Sequence, residues 1–178
     1  MMAVASTLHT RSVSGRDHVR GAASAAITLV QYGDYACPRC NQARAVVRRL
    51  ETRVGDRLRY AFRNFPMSAS HPFSHHAAEA AEAAGAQDKF WEMHNVLFNH
   101  QTALSDKHLR IYGTWVGLDM ERFNEDMTMH SYALRVYEDA LSASRSGCSS
   151  TPCFFINDNR HLGRSDFESL LSHIEEAP

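Results

Sequence analysis

The chain has 178 residues, 44% of them hydrophobic and 22% charged, with a formal net charge of −1. That balance describes a globular protein long enough for one core and a sizeable insertion, and it excludes a disordered charged tail. No stretch approaches the length of a membrane span, and the basic residues of the first half come with no aromatic interleaving or nucleic-acid motif, so neither membrane nor nucleic acid is expected as a partner.

Residues 1–23 mix small, polar and basic types and never reach the apolar segment of a secretory signal. They read as a flexible N-terminal arm, ending in a short edge strand, and the chain reads as cytoplasmic. Four cysteines in a reducing compartment point to catalysis, redox sensing or metal binding rather than to a static scaffold.

The run Ile27-Thr28-Leu29-Val30 is strand-like, and from Pro38 onward Ala43, Val46, Val47, Leu50 and Val54 recur at helical spacing. Between them lies Asp34-Tyr35-Ala36-Cys37-Pro38-Arg39-Cys40, so Cys37 falls where a strand hands over to a helix. Pro38 suits the first helical position, having no N–H to leave unpaired. First-turn N–H groups and the positive end of the helix dipole then favour a Cys37 thiolate, and the charge of Arg39 adds to them. Cys40, one turn on, is placed to resolve a mixed disulfide formed at Cys37. Asp34 reads equally as a proton acceptor near Cys40 or as a cap for backbone in the turn. Arg44, Arg48, Arg49 and Arg53 on the helix read as a solvated face.

Leu58, Tyr60 and Phe62 then alternate with Arg57, Arg59 and Arg63, the pattern of a half-buried strand, which Pro66 ends. Residues 67–147 are helical throughout: an Ala-rich helix over Phe73–Ala84 closing at Gly85, another over Asp88–His100, two more capped by Ser105 and Asp119, and one burying Ala133, Val136, Tyr137, Ala140 and Leu141. His71, His75, His76 and His94 include an i, i+4 pair, but read as a helix entry and exposed faces, so no metal is expected. Met93, Met120, Met127 and Met129 read as core filler rather than a peptide groove. Extended structure returns at Cys153–Asn157, with a turn at Asp158-Asn159 and a partner strand at Arg160-His161-Leu162. Ser165-Asp166-Phe167-Glu168 carries a capping-box signature for a last helix.

The Cys-Pro-Arg-Cys motif after a strand resembles the thioredoxin superfamily. Arg63-Asn64-Phe65-Pro66, His71-Pro72 entering the Ala-rich helix, Phe90-Trp91-Glu92-Met93-His94 and Thr151-Pro152-Cys153-Phe154-Phe155-Ile156-Asn157 are similar to its DsbA-like branch. The resemblance implies an α/β fold: a thioredoxin-like core, a central mixed β-sheet flanked by helices, from 24–66 and 148–178, with an all-helical subdomain inserted at 67–147. It implies a thiol:disulfide oxidoreductase acting on protein or small-molecule disulfides, with no cofactor and with a redox partner that the residues do not name. It also implies a cis Thr151-Pro152 bond, with Thr151 and Pro152 as a substrate platform. Cys148 and Cys153 depart from the family pattern, and are expected to form a redox-linked disulfide that fixes this loop or exchanges with the active pair. Two other readings compete. One is a zinc-binding or redox-sensing module built on all four cysteines. The other is a glutathione-dependent isomerase of the kind the DsbA-like branch also resembles, against which the intact Cys37/Cys40 pair argues.

Overall fold

The computed structural model describes residues 10–177; the first nine residues of the expected arm lie outside that range. A five-stranded sheet has the order β1-β3-β2-β4-β5, with β1 His18–Arg20, β2 Ile27–Gly33, β3 Leu58–Asn64, β4 Cys153–Ile156 and β5 Asn159–Arg160. The central strand β2 runs parallel to β3 and antiparallel to β4. It is buried at every position because both faces of the sheet are covered. Among the described residues seven α-helices accompany the sheet: α1 Pro38–Val54, α2 Ser74–Gly85, α3 Phe90–Asn99, α4 Asp106–Trp115, α5 Met120–Thr128, α6 Ala133–Arg145 and α7 Phe167–Glu176.

Strand alternation divides the core in two. Ile27, Leu29, Leu58, Tyr60, Phe62, Phe154 and Ile156 face a large cluster shared with α1, α2, α3 and α7. Val30, Tyr32, Ala61, Cys153 and Phe155 face a smaller one with Ala143 of α6 and Cys148. The helical block is therefore not detached from the sheet, since its last helix covers the second face. Within the block, α2 is buried all round. Its alanines let α3, α4, α5 and α6 pack around a single axis where larger side chains would hold them apart.

Four local expectations are corrected. The strand β3 is not half-buried: Arg63 is wholly enclosed, because the supposedly free arm folds over it from Thr10 to Asp17. The edge strand that ends the arm is β1, paired antiparallel with β3. The hairpin turns one residue earlier than expected, at Asn157-Asp158, both with positive φ (46° and 67°), a backbone that Asn and Asp tolerate better than most residues. Its return strand is consequently only Asn159–Arg160. The cap of α7 is Asp166, which accepts from the Ser169 N–H at 3.0 Å, rather than a Ser165–Glu168 box. Asp119 caps α5 as expected, accepting from the N–H groups of Glu121 and Arg122, whereas the Ser105 hydroxyl turns to His108 Nδ1 instead of to backbone.

Candidate active site

Strand β2 ends at Gly33, and Cys37 is the extended residue preceding α1, with Pro38 in the first turn. The helix is held against the sheet by Cys40, Ala43, Val47 and Leu50, a buried stripe at helical spacing. Cys37 and Cys40 are free thiols, both buried, with Cys40 completely enclosed. Burial, joined by the hydrogen bond to Cys37 and the charge there, pushes the Cys40 thiol well above its ordinary range. The Cys37 pKa goes the other way, down to about 5. The hydrogen bond from Cys40 is the main cause, and it outweighs burial. The Thr151 side chain and the backbone N–H groups of Cys40 and Arg39 add to the lowering. What Arg39 supplies is thus its N–H, while its side chain is exposed. Two thiols one turn apart are thus shifted in opposite directions, and Cys37 is the more readily ionised of the two.

Asp34 settles in the turn-organising role. Its carboxylate is buried and accepts from the N–H groups of Ala36 (2.8 Å) and Met67 (2.9 Å), from Ser74 Oγ (2.6 Å) and from His71 Nδ1 (2.7 Å). What it directs at Cys40 is its backbone N–H, 3.4 Å from the sulfur. One side chain thus ties the loop before the nucleophile to the entry of α2.

The Thr151–Pro152 peptide is cis, and the Thr151 carbonyl oxygen lies 3.5 Å from Cys37 Sγ. Thr151 is buried, while Pro152 is half-exposed beside Arg39 along an open groove that also includes Gln42, Val46 and Arg164. Cys148 and Cys153 are joined by a disulfide across a Cα–Cα distance of 6.1 Å. They belong to the second core cluster, on the sheet face opposite Cys37 and Cys40. The four cysteines therefore do not converge into a thiolate cage.

Other candidates disperse. His94 is buried in the core, with Nδ1 3.2 Å from the Tyr35 hydroxyl, and burial holds it well below the ordinary imidazole range. Arg44 and Arg48 are not simply solvated: they donate to the Asn95 carbonyl and the side chains of Asn99 and Asn95 on α3. Met93 is core, whereas Met129 is largely exposed.

Gln101, in the loop after α3, carries no signal in the sequence. Its Nε2 donates to the carbonyls of Tyr35 (2.7 Å) and Cys37 (3.0 Å), so the helical block holds the backbone around Cys37 directly. The Cys37 carbonyl keeps other donors in the N–H groups of Cys40 and Asn41. Gln101→Ala is therefore expected to leave mainly the Tyr35 carbonyl short of a partner and to cost about 1–2 kcal/mol in urea unfolding.

A strand-to-helix dithiol facing a cis-proline loop, on a mixed sheet with helices inserted, defines a thioredoxin-fold protein. Residues 13–176 match the family described as Thioredoxin. The chain belongs to that family. The thioredoxin-like oxidoreductase from Silicibacter pomeroyi DSS-3 superposes with a TM-score of 0.81 at 26% identity, covering 92% of this chain and 93% of that one. Oxidised BdbD from Bacillus subtilis shares the fold at a TM-score of 0.83 and 21% identity, over 96% and 97% of the two chains. In sequence, 91% of the chain is 44% identical to part of the Na(+)/H(+) antiporter NhaA 1 of Salinispora arenicola (strain CNS-205). The chain spans about a quarter of the length of that relative.

Proposed function

We propose that this chain is a thiol–disulfide oxidoreductase in which Cys37 attacks a substrate disulfide and Cys40 resolves the adduct. The observation that carries the reading is a pair of free thiols one turn apart at the start of α1, with Cys37 Sγ 3.5 Å from the Thr151 carbonyl of the cis-proline loop; the lowering of Cys37 and the raising of Cys40 agree with it. Attack by the Cys37 thiolate forms one S–S bond and expels one substrate thiolate. Attack by Cys40, after losing its proton, then closes Cys37–Cys40 and releases the second thiolate, so the substrate gains two electrons and the protein loses two. The reverse sequence oxidises a substrate dithiol. Thr151 and Pro152 form the platform on which a substrate strand lies beside Cys37. The test is turnover of insulin disulfides with a thiol reductant, combined with trapping: Cys40→Ser should accumulate a covalent mixed disulfide through Cys37. Absence of both turnover and adduct sinks the proposal.

The compartment sets net direction. In the cytoplasmic setting expected from composition, the pair would be held largely reduced. Alkylation of Cys37 and Cys40 in intact cells reads this directly. Among the described residues no helix is long and apolar enough to cross a membrane, and we assign the ion exchange in the relatives' name to no residue of this chain.

We read the Cys148–Cys153 disulfide as a pin for the substrate-facing loop rather than a relay, because it lies on the other face of the sheet. Closing a loop of about six residues stabilises by about 2 kcal/mol in the chain-entropy account. Cys148→Ala/Cys153→Ala is expected to lower unfolding stability by about that amount, while the pH profile of Cys37 alkylation stays as in the parent. A trapped disulfide joining Cys37 or Cys40 to Cys148 or Cys153 would instead mean that the two pairs exchange.

A further inference from the structure

Far from the dithiol, α2, the start of α4 and the turn between α5 and α6 enclose a cavity of about 160 Å³, with Leu109, Phe123 and Met127 on its apolar side. His76, Asp106, Arg110 and His130 line its polar side; His76, His130 and the buried Glu79 each offer one ligand atom, and these atoms all lie within 4.8 Å of one another. His76 and Glu79 are three apart on α2 and so share a face. His130 arrives from 51 residues further on, held with φ at +51°, a left-handed backbone uncommon for a residue with a side chain. Its Nδ1 lies 3.1 Å from the Glu79 carboxylate.

The carboxylate is what needs explaining. Glu79 is 1% exposed. Among the described residues its ion-pair partners are imidazoles alone, His130 and, at 3.4 Å, His75. No Lys or Arg pairs with it there. A buried carboxylate without a fixed positive partner is costly, and a bound cation would remove that cost. His76 is also oriented from behind: its Nδ1 lies 2.8 Å from Asp106 Oδ1. A carboxylate accepts only, so Nδ1 carries the hydrogen and the Nε2 lone pair is left for a ligand. Carboxylate-backed histidine is the usual outer support of a metal site.

We propose that His76, Glu79 and His130 bind a divalent transition metal of the zinc type, with Asp106 positioning His76 and a further coordination position open to the cavity. Two imidazoles and one carboxylate match the borderline-soft preference of zinc and argue against calcium or magnesium, which take oxygen ligands. His76, which reads as exposed helix face, thus acquires a role through His130 and Asp106, neither of which is near it in sequence.

The test uses the full chain with Cys37 and Cys40 oxidised to their disulfide, so that no free thiol competes, and zinc chloride alone as the probe against a chromophoric chelator. One equivalent is expected to bind. His130→Asn, which keeps a residue tolerant of left-handed backbone, and His76→Gln should each weaken binding by more than the ~10–100-fold expected for the outer change Asp106→Asn. Thiol turnover of the zinc-free His130→Asn protein should equal that of the parent, which shows the variant folded. The proposal is overturned if the parent takes up no stoichiometric zinc, or if both histidine variants bind as tightly as the parent.

Discussion

Cys37→Ser is expected to bring disulfide turnover down to the uncatalysed rate, since a hydroxyl neither ionises at neutral pH nor forms the mixed disulfide. In the parent, alkylation of Cys37 should be half-maximal near pH 5, the value to which Cys40, Thr151 and the first-turn N–H groups lower it against burial. The same shift has a stability consequence. The folded pKa lies below the ordinary thiol value of 9.0, so the thiolate's contribution to the reduced form is fully present above about pH 9 and is lost as pH falls toward 5. At pH 7 it is on the order of 2 kcal/mol. A reduced state stabilised in this way makes the Cys37–Cys40 disulfide more oxidising. Comparing urea unfolding of the reduced and oxidised proteins between pH 5 and pH 8 checks this: a reduced-state advantage that does not shrink on acidification means that Cys37 is not an ionised thiolate at neutral pH.

Asp17→Asn should produce the largest loss of stability of any single polar change considered. Arg63 and Asp17 are both without exposed side-chain surface, with Nε to Oδ1 at 2.6 Å and Nη2 to Oδ2 at 3.2 Å. Removing one charge leaves the other buried and uncompensated, at a cost of about 3–5 kcal/mol. For a protein of this size that lowers the melting temperature on the order of 10 °C. Burial alone would raise the Asp17 pKa, but the hydrogen bonds and charge of Arg63 outweigh it and hold the carboxyl below its ordinary value. The contribution is therefore complete at neutral pH, above the unfolded carboxyl's pKa, and lost only as pH falls through the lower folded one. Thermal melts of Asp17→Asn, Arg63→Met and the double variant decide the matter. If the double variant costs as much as the two single losses added together, the pair is not coupled.

Arg63 also marks the limit of what a sequence can say. Its alternation with Tyr60 and Phe62 correctly divides the strand into two faces, but period-2 spacing cannot tell water from a distant segment as the cover of the second face. The cover here is Thr10, Ser12 and Asp17, together with the Tyr32 hydroxyl. The position of Cys37 was legible because Pro38 and the following apolar stripe mark a helix start within a few residues. The carboxylate of Asp34 was visible as a candidate, yet choosing its role needed Met67, His71 and Ser74, which arrive from beyond β3. Gln101 left no trace, because a glutamine in a polar loop looks the same whether it meets solvent or two carbonyls of the active-site turn. The hairpin at Asn157-Asp158 was displaced by one residue because Asp158-Asn159 is equally turn-prone, and only the pairing of Phe155 with Arg160 fixes the register.

The placement of the second disulfide gives the protein an internal gauge of its own integrity. Cys148 and Cys153 lie in the core on the sheet face opposite the dithiol and lack the lowered thiol that makes Cys37 exchange readily, so a mild reductant that resets Cys37 and Cys40 in the native fold should leave them joined. A thiol count taken in denaturant after such treatment and removal of the reductant would return two groups from molecules that stayed folded and four from molecules that had opened, with no spectroscopic label required.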